Sequence, residues 1–285
     1  MNSDLSTFAV IGATGQQGGA VVDSLLAMGR PVRAIVRDVH SETAEELAFR
    51  GVSVVYGDQD KPDSLAEVLR DIRALFLMTT FSDDAGGTEG EARRGRAVAE
   101  AAARAEVAHV VYSSVGGAER HSGVPHFESK RRVEEALTEL VPSSFIRPTF
   151  FMENLSRALG ASDSEDFVLR LPIPGNVPIE MVAVADIGKV AVAVLLDPGV
   201  LPSGSVEIAG DTRTADEIAA IIGGRLKKAA RFEELPLNVL DGDADRQAMF
   251  RWFVDTPAYQ ADFEATRQLD PEVLNLEAWV AQAVR

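Results

Sequence analysis

The chain has 285 residues, 46% hydrophobic and 25% charged, with no cysteine and a formal net charge of −16. This is enough for a substantial core in one large or two unequal domains. The acidic balance opposes a nucleic-acid partner, since such binding depends on Lys and Arg neutralising phosphates. Lack of cysteine excludes disulfides and thiol chemistry, His40, His109, His121 and His126 show no metal-ligand spacing, and no apolar run nears the roughly 18 residues a bilayer requires, so no metal, no membrane contact and a cytoplasmic location are expected.

Thr7 to Ile11 reads as a short apolar strand and Ala20 to Met28 as a helix, joined by a loop with Gly12, Gly15 and Gly18 three apart. Each glycine has its own reason: Gly12 turns the chain off the strand, Gly15 admits a phosphate to the backbone, and Gly18 allows close helix packing. The helix then offers unpaired N–H groups and a positive dipole end, so this loop, with Thr14, Gln16 and Gln17, is expected to cradle a dinucleotide pyrophosphate.

Pro31 to Val36 completes a βαβ unit, and Arg37 ends that second strand, about 20 residues past the loop, where an acid binds the ribose hydroxyl of NAD and an arginine accommodates the 2′-phosphate of NADP. NADP(H) is the preferred cofactor; Asp38 beside it keeps NAD open, and a solvated surface charge is the bland reading. Arg33 is expected to face away. Gly57-Asp58-Gln59-Asp60 follows the strand Val52 to Tyr56: Asp58 or Gln59 either bonds the adenine amino edge or belongs to a polar turn capping the next helix. Thr79, Thr80 and Phe81, at the end of the strand Ala74 to Thr79, either border the ribose and nicotinamide or merely end that strand.

Strands at Val107 to Ser113 and Ser144 to Arg147 continue the alternation, with helices at Ser64 to Asp71, Glu91 to Glu106 and Phe127 to Leu140. Apolar on both faces, such strands suit a covered parallel sheet. The rhythm breaks after Pro148, and Leu169 to Val184 carries three prolines. The expected fold is α/β, a Rossmann-type doubly wound parallel sheet with a smaller C-terminal α+β lobe. Residues 1–152 form the nucleotide-binding domain, rejoined by 186–210 with Ser205 to Ala209 as a further strand, while 153–185 and 211–285 form the smaller lobe. Asp186-Ile187-Gly188 opens a helix, with Asp186 its expected N-cap.

The glycine loop, Arg37, Gly57-Asp58-Gln59-Asp60, Glu91-Ala92-Arg93-Arg94-Gly95-Arg96, His126-Phe127-Glu128-Ser129-Lys130 with Glu134, and Arg147 to Asn154 together resemble the NmrA-like family of atypical short-chain dehydrogenases/reductases. The resemblance spans nearly the whole chain, through Asp186-Ile187-Gly188 to Trp252-Phe253 and Tyr259-Gln260-Ala261-Asp262. It implies a Rossmann lobe, a smaller C-terminal lobe and an NADP(H) cleft between them. The family holds NADPH-dependent reductases of quinones or related small electrophiles, and proteins that bind NADP(H) to sense redox state and regulate a protein partner.

The same resemblance assigns roles. Short-chain dehydrogenases commonly use Tyr-x-x-x-Lys, with the tyrosine giving a proton and the lysine binding the ribose; here His126 stands at the tyrosine position while Lys130 keeps its place, one helical turn on. His126 is a catalytic acid, a cofactor or substrate contact, or helix-start packing. Lys130 is the expected ribose ligand, against an exposed surface charge. Ser113 and Ser114 orient a substrate or cap the strand, and Gly116-Gly117 would let a substrate approach the backbone. Arg94 either reaches the cofactor or bridges to Glu91 on the surface. Arg147, Pro148 and Thr149 are placed on the nicotinamide side, with Phe150, Phe151 and Met152 as apolar walls. A quinone accepts hydride with less help from an acid than a ketone does, which suits a site without the tyrosine. The leading expectation is an NADPH-dependent reductase of a small-molecule electrophile; the alternative is an NADP(H) sensor whose Ser82 to Gly90 loop shifts a regulatory protein partner.

Overall fold

The computed structural model describes residues 7–82, 84, 86–156, 159 and 166–284. The first stretch alternates strand and helix: β1 (Thr7–Ile11), α1 (Gln16–Ala27), β2 (Val32–Val36), α2 (Glu42–Phe49), β3 (Ser53–Tyr56), α3 (Asp63–Val68), β4 (Ile72–Leu77), α4 (Gly87–Arg104), β5 (Val110–Ser113), α5 (Pro125–Leu140) and β6 (Ser143–Pro148). With β10 (Ser205–Ile208) they form a seven-stranded sheet in the order β10-β6-β5-β4-β1-β2-β3. Strands β1 to β6 pair in parallel, Val10 lying between Ala34 of β2 and Phe76 of β4. The winding direction reverses between β1 and β4, and in such sheets ligands lie beyond the strand ends at that reversal. Burial explains the strand composition: Ala9, Ile11, Leu75, Leu77 and Tyr112 pack with Val98 and Ala102 of α4 and Val133 and Leu137 of α5.

The chain divides into two compact units. One comprises the chain through Ser114, Ser129–Arg147 and Ile187–Val206; the other comprises Val115–Glu128, Pro148–Asp186 and the chain from Glu207. Val115–Glu128, expected with the nucleotide-binding domain, belongs to the second unit because Val124 and Phe127 enter its core and Val115 packs against it. That unit carries β7 (Phe150–Phe151), β8 (Phe167–Leu171), β9 (Pro178–Val182), β11 (Asp211–Thr214) and β12 (Ala230–Glu234), as a three-stranded sheet β11-β9-β7 and a pair β12-β8. Phe127, Trp252, Phe253 and Tyr259 stack edge to face or tilted at the centre of its core.

Helix α6 (Val184–Leu196) begins before Asp186, so Asp186 is not its N-cap; it sits fully buried in the first turn, where its Oδ2 accepts the backbone N–H of Leu274 at 2.8 Å. The second unit also carries the helices α7 (Ala215–Leu226), opened by a Thr214/Glu217 capping box, α8 (Ala244–Asp255), α9 (Phe263–Leu269) and α10 (Leu276–Ala283). Among the described residues, no helix is long and apolar enough to cross a membrane.

Candidate functional site

The loop after β1 turns at Gly12, whose φ of +90° favours glycine, and closes with the Gly15 N–H donating to the Gly12 carbonyl at 2.9 Å. A Cβ on Gly18 would lie 2.1 Å from the Gly12 oxygen, so only glycine lets α1 start this close to β1. Gly15 caps α1 without a side-chain bond, and no acid occupies the first turn. The helix therefore presents its first N–H groups and positive dipole end.

Beyond these strand ends lies a cavity of about 300 Å³, lined by Gly12, Thr14, Gly15, Arg37, Asp58, Gln59 and Thr80 among others. Arg37 is exposed on its wall, and its guanidinium has no hydrogen bond or ion pair among the described residues. Asp38 is turned to its own loop, accepting the His40 N–H at 2.9 Å. Arg33 points elsewhere, its Nη1 donating to the Val68 and Arg70 carbonyls. Asp58 shapes the turn after β3: its Oδ1 accepts the Asp60 N–H at 3.0 Å, and its Oδ2 is 3.7 Å from Lys61 Nζ. Gln59 directs Nε2 at the Met78 carbonyl, 3.5 Å away, while its Oε1 is buried without a partner among the described residues. Arg94 also lines the cavity. It is buried and donates to the Thr80 carbonyl at 2.6 Å, so the expected surface bridge to Glu91 does not form.

Glu91 instead anchors a buried cluster. Its Oε1 accepts from Thr79 Oγ1 at 2.7 Å and from Lys130 Nζ at 2.9 Å, and its Oε2 accepts from Ser129 Oγ at 2.5 Å. Thr79 Oγ1 lies 2.8 Å from the Tyr112 hydroxyl, and because Thr79 donates to Glu91, Tyr112 donates to Thr79. Lys130 Nζ stands 5.6 Å from the Tyr112 ring centroid. Burial opposes ionisation of Glu91, yet Lys130 and the two hydroxyls hold its carboxyl below the usual carboxylate range; burial and the Glu91 charge push the Tyr112 phenol well above its ordinary value. Thr79 and Lys130 are thus turned into the protein: Lys130 is buried, contrary to its reading as an exposed surface charge, and Thr79, expected either to border the ribose or to end its strand, does not line the cavity.

Ser113 is buried and donates to Gln17 Oε1 at 2.5 Å, tying the end of β5 to α1; Gln16 stays exposed. Ser114 is buried, with an Oγ that has no partner among the described residues. Arg147, expected on the nicotinamide side, forks onto Glu134 through Nε at 3.0 Å and Nη2 at 2.7 Å.

The second unit holds the remaining sequence candidates. His126 is buried at the start of α5; Asp245 Oδ1 accepts its backbone N–H at 2.8 Å, and Oδ2 lies 2.6 Å from Nδ1. Burial resists ionisation of Asp245, but His126 holds its carboxyl below the ordinary value. Pro148 is buried, its carbonyl accepting the Gly116 N–H, and Thr149 bonds the Ile208 carbonyl through Oγ1. Gly116 and Gly117 are not open to a substrate: Cβ atoms there would meet Tyr259 at 2.7 Å and Trp252 at 2.8 Å. Sequence reasoning missed Asp245, and it missed Arg120, which forks onto the buried Glu207 at 2.8 and 3.1 Å. No local motif marks either pair, since their partners lie 119 and 87 positions away. Of the expected Ser82 to Gly90 loop, residues 83 and 85 lie outside the described residues, and Gly87 to Gly90 form the first turn of α4. Among the described residues, no three His, Asp or Glu side chains gather to hold a metal ion.

A glycine-turned strand–helix junction at the reversal of a doubly wound parallel sheet defines a Rossmann-type protein. The model of the NmrA-like family matches residues 4–279, and the chain belongs to that family. An oxidoreductase of Malbranchea aurantiaca with an NmrA-like family domain is 27% identical, covering 89% of this chain and 87% of its own. In fold, the chain is similar to an NADPH-dependent quinone oxidoreductase of Escherichia coli complexed with NADPH (TM-score 0.79, 24% identity, 98% of this chain and 100% of that one). It is similar also to NmrA, a negative transcriptional regulator in complex with NAD (TM-score 0.81, 20% identity, 96% and 94%).

Proposed function

We propose that this protein is an NADPH-dependent reductase that delivers hydride to a quinone or similarly small electrophile. The observation that carries the cofactor choice is Arg37, a guanidinium on the wall of the glycine-loop cavity with no partner among the described residues. An unpartnered cation matches a 2′-phosphate, whereas a ribose hydroxyl calls for an acceptor, and Asp38 is already taken up by its own turn. In this reading Gly12, Thr14, Gly15, Gln16, Gln17 and Gly18 receive the pyrophosphate, Asp58 and Gln59 the adenine end, and Thr80 borders the ribose. Thr79 and Ser113 act from behind, through Glu91 and Gln17. Pro148 fixes the exit from β6.

The bound nucleotide supplies the hydride; the protein holds it, orients the acceptor and manages one proton. Lys130 has three N–H groups, of which Glu91 takes one, so it retains donors for a ribose hydroxyl. His126, held by Asp245, is the proton donor in this reading; a quinone asks little of it, because the reduced oxygen is a stabilised phenolate. The relative named an oxidoreductase supports turnover. The regulator of the same fold keeps the second reading, an NADP(H) sensor acting through a protein partner.

Anaerobic NADPH oxidation, followed by absorbance over quinones, aldehydes and azo dyes, tests the proposal, with Lys130→Ala as control. Saturable oxidation of a quinone that is lost in the variant is the expected result. Tight NADPH binding with no turnover across the panel would overturn the reductase reading in favour of the sensor.

A further inference from the structure

Just past β4, Met78 lies over the glycine loop. The position a Cβ would take on Gly12 is 3.3 Å from Met78 Cε and 3.4 Å from its Cβ, and the corresponding position on Gly15 is 3.8 Å from the same Cε. The thioether thus borders the space that the two missing side chains leave beside the loop. Met78 is half-buried and lines the cavity together with Gly12, Thr14 and Gly15, the sole methionine among the described residues to do so. Met152 and Met181 are fully buried in the second unit, and Met28 is exposed just past α1. A thioether is apolar and soft, and its covalent liability is oxidation. Its lone pair attacks an oxygen of hydrogen peroxide, the O–O bond breaks, and the departing hydroxide takes the proton of the transferred oxygen and leaves as water. The sulfur is oxidised by two electrons to the sulfoxide, and the peroxide is reduced.

We propose that Met78 is a reversible oxidation site that controls dinucleotide binding: its sulfoxide closes the glycine loop to the pyrophosphate, and a bound dinucleotide in turn shields the thioether. The proposal rests on the NADP(H) reading above and adds a regulation to it. The added oxygen has two ways to point. Toward the loop the gap is so narrow that one added carbon on Gly12 would already sit 3.3 Å from Met78, so an oxygen on that side makes the loop give way. Toward the cavity the oxygen is a new acceptor beside the first N–H groups of α1, where it competes for the donors that a phosphate needs and repels phosphate oxygens. Either epimer therefore weakens binding, and enzymatic reduction of the sulfoxide restores it.

The test treats the protein with hydrogen peroxide, free and saturated with NADP⁺, and maps the sulfoxides by peptide mass spectrometry. NADPH is then titrated by fluorescence into the natural protein and Met78→Leu, before and after treatment; leucine has a similar volume and no sulfur. Met78 is expected to oxidise in the free protein and to be spared under NADP⁺, while exposed Met28 oxidises equally in both samples and reports that the reagent acted. The treated natural protein should bind NADPH about tenfold more weakly and recover on incubation with methionine sulfoxide reductases for both epimers. Met78→Leu should keep through the treatment whatever affinity it starts with. Met78 that stays reduced while Met28 is oxidised, Met78 oxidised as fast under NADP⁺ as without it, a Met78 sulfoxide with no loss of affinity, or an equal loss in Met78→Leu would overturn the inference and leave NADP(H) binding intact. Failure of the untreated natural protein to bind either nucleotide would overturn the NADP(H) reading and the inference with it. Loss and repair in the natural protein decide the matter even if Met78→Leu does not fold.

Discussion

Two polar clusters of the first unit treat charge in opposite ways. Around Glu91 the groups answer one another: one carboxylate takes an ammonium and two hydroxyls, and a phenol completes the chain. On the cavity wall, among the described residues, Arg37 has no counter-ion and Gln59 Oε1 has no donor. Under the proposed function the difference is between a carboxylate that is answered within the fold and a guanidinium that is left for a ligand. The Glu91 carboxylate is fully answered inside the protein, whereas under the proposed function the counter-ion of Arg37 is the 2′-phosphate of NADP(H).

The largest expected effect comes from breaking the complete cluster. Glu91→Ala leaves the Lys130 charge buried and unpaired, at roughly 3–5 kcal/mol, and the melting temperature should fall steeply. Pairing that change with Lys130→Met should recover much of the loss, because the unpaired charge goes with it. A Glu91→Ala protein as stable as the natural one would dissolve the contrast. Acid probes the same pair: the Glu91 pKa is lowered on folding, so its stabilisation is present above the unfolded carboxylate pKa and is lost as pH falls through the folded value. Glu91→Gln should flatten that part of the acid limb.

A smaller effect sharpens the comparison from the second unit. Glu180 is half-buried; burial first, then the nearby Glu207 charge, push its carboxyl above the ordinary value, with only the Ala261 N–H and Arg120 opposing. A raised folded pKa means that the folded state binds the extra proton, so stability is fullest in acid and declines as pH rises through that value. Glu180→Gln, which keeps an acceptor for the Ala261 N–H, should therefore raise the melting temperature modestly at pH 8 and little at pH 4. Differential scanning fluorimetry at the two pH values checks the sign.

What the sequence disclosed follows the range of each interaction. β1 to β6 are legible because a parallel sheet covered on both faces needs uninterrupted apolar strands, and the glycine loop because its constraint is confined to seven residues from Gly12 to Gly18. Arg37 is legible because it directly follows β2. Helix α2 carries its own start signal, Ser41 accepting the Ala44 N–H, but only half-apolar spacing over eight residues, and no sequence expectation included it. The inward turn of Thr79 and Lys130 is invisible to local reading: Lys130 pairs with a carboxylate 39 positions earlier, and i, i+3 spacing offered Arg94 as the partner of Glu91. Asp245 beneath His126, and the two rings over Gly116 and Gly117, arise from chain more than a hundred residues away, where no periodicity reaches.

The contrast between the clusters rests most directly on Arg37. Affinities for NADPH and NADH, measured by fluorescence titration in the natural protein and in Arg37→Ala, should show NADPH binding weakened about ten- to a hundredfold and NADH binding nearly unchanged. Equal losses for the two nucleotides, or no loss for either, would contradict the assignment of the unpartnered guanidinium to the 2′-phosphate.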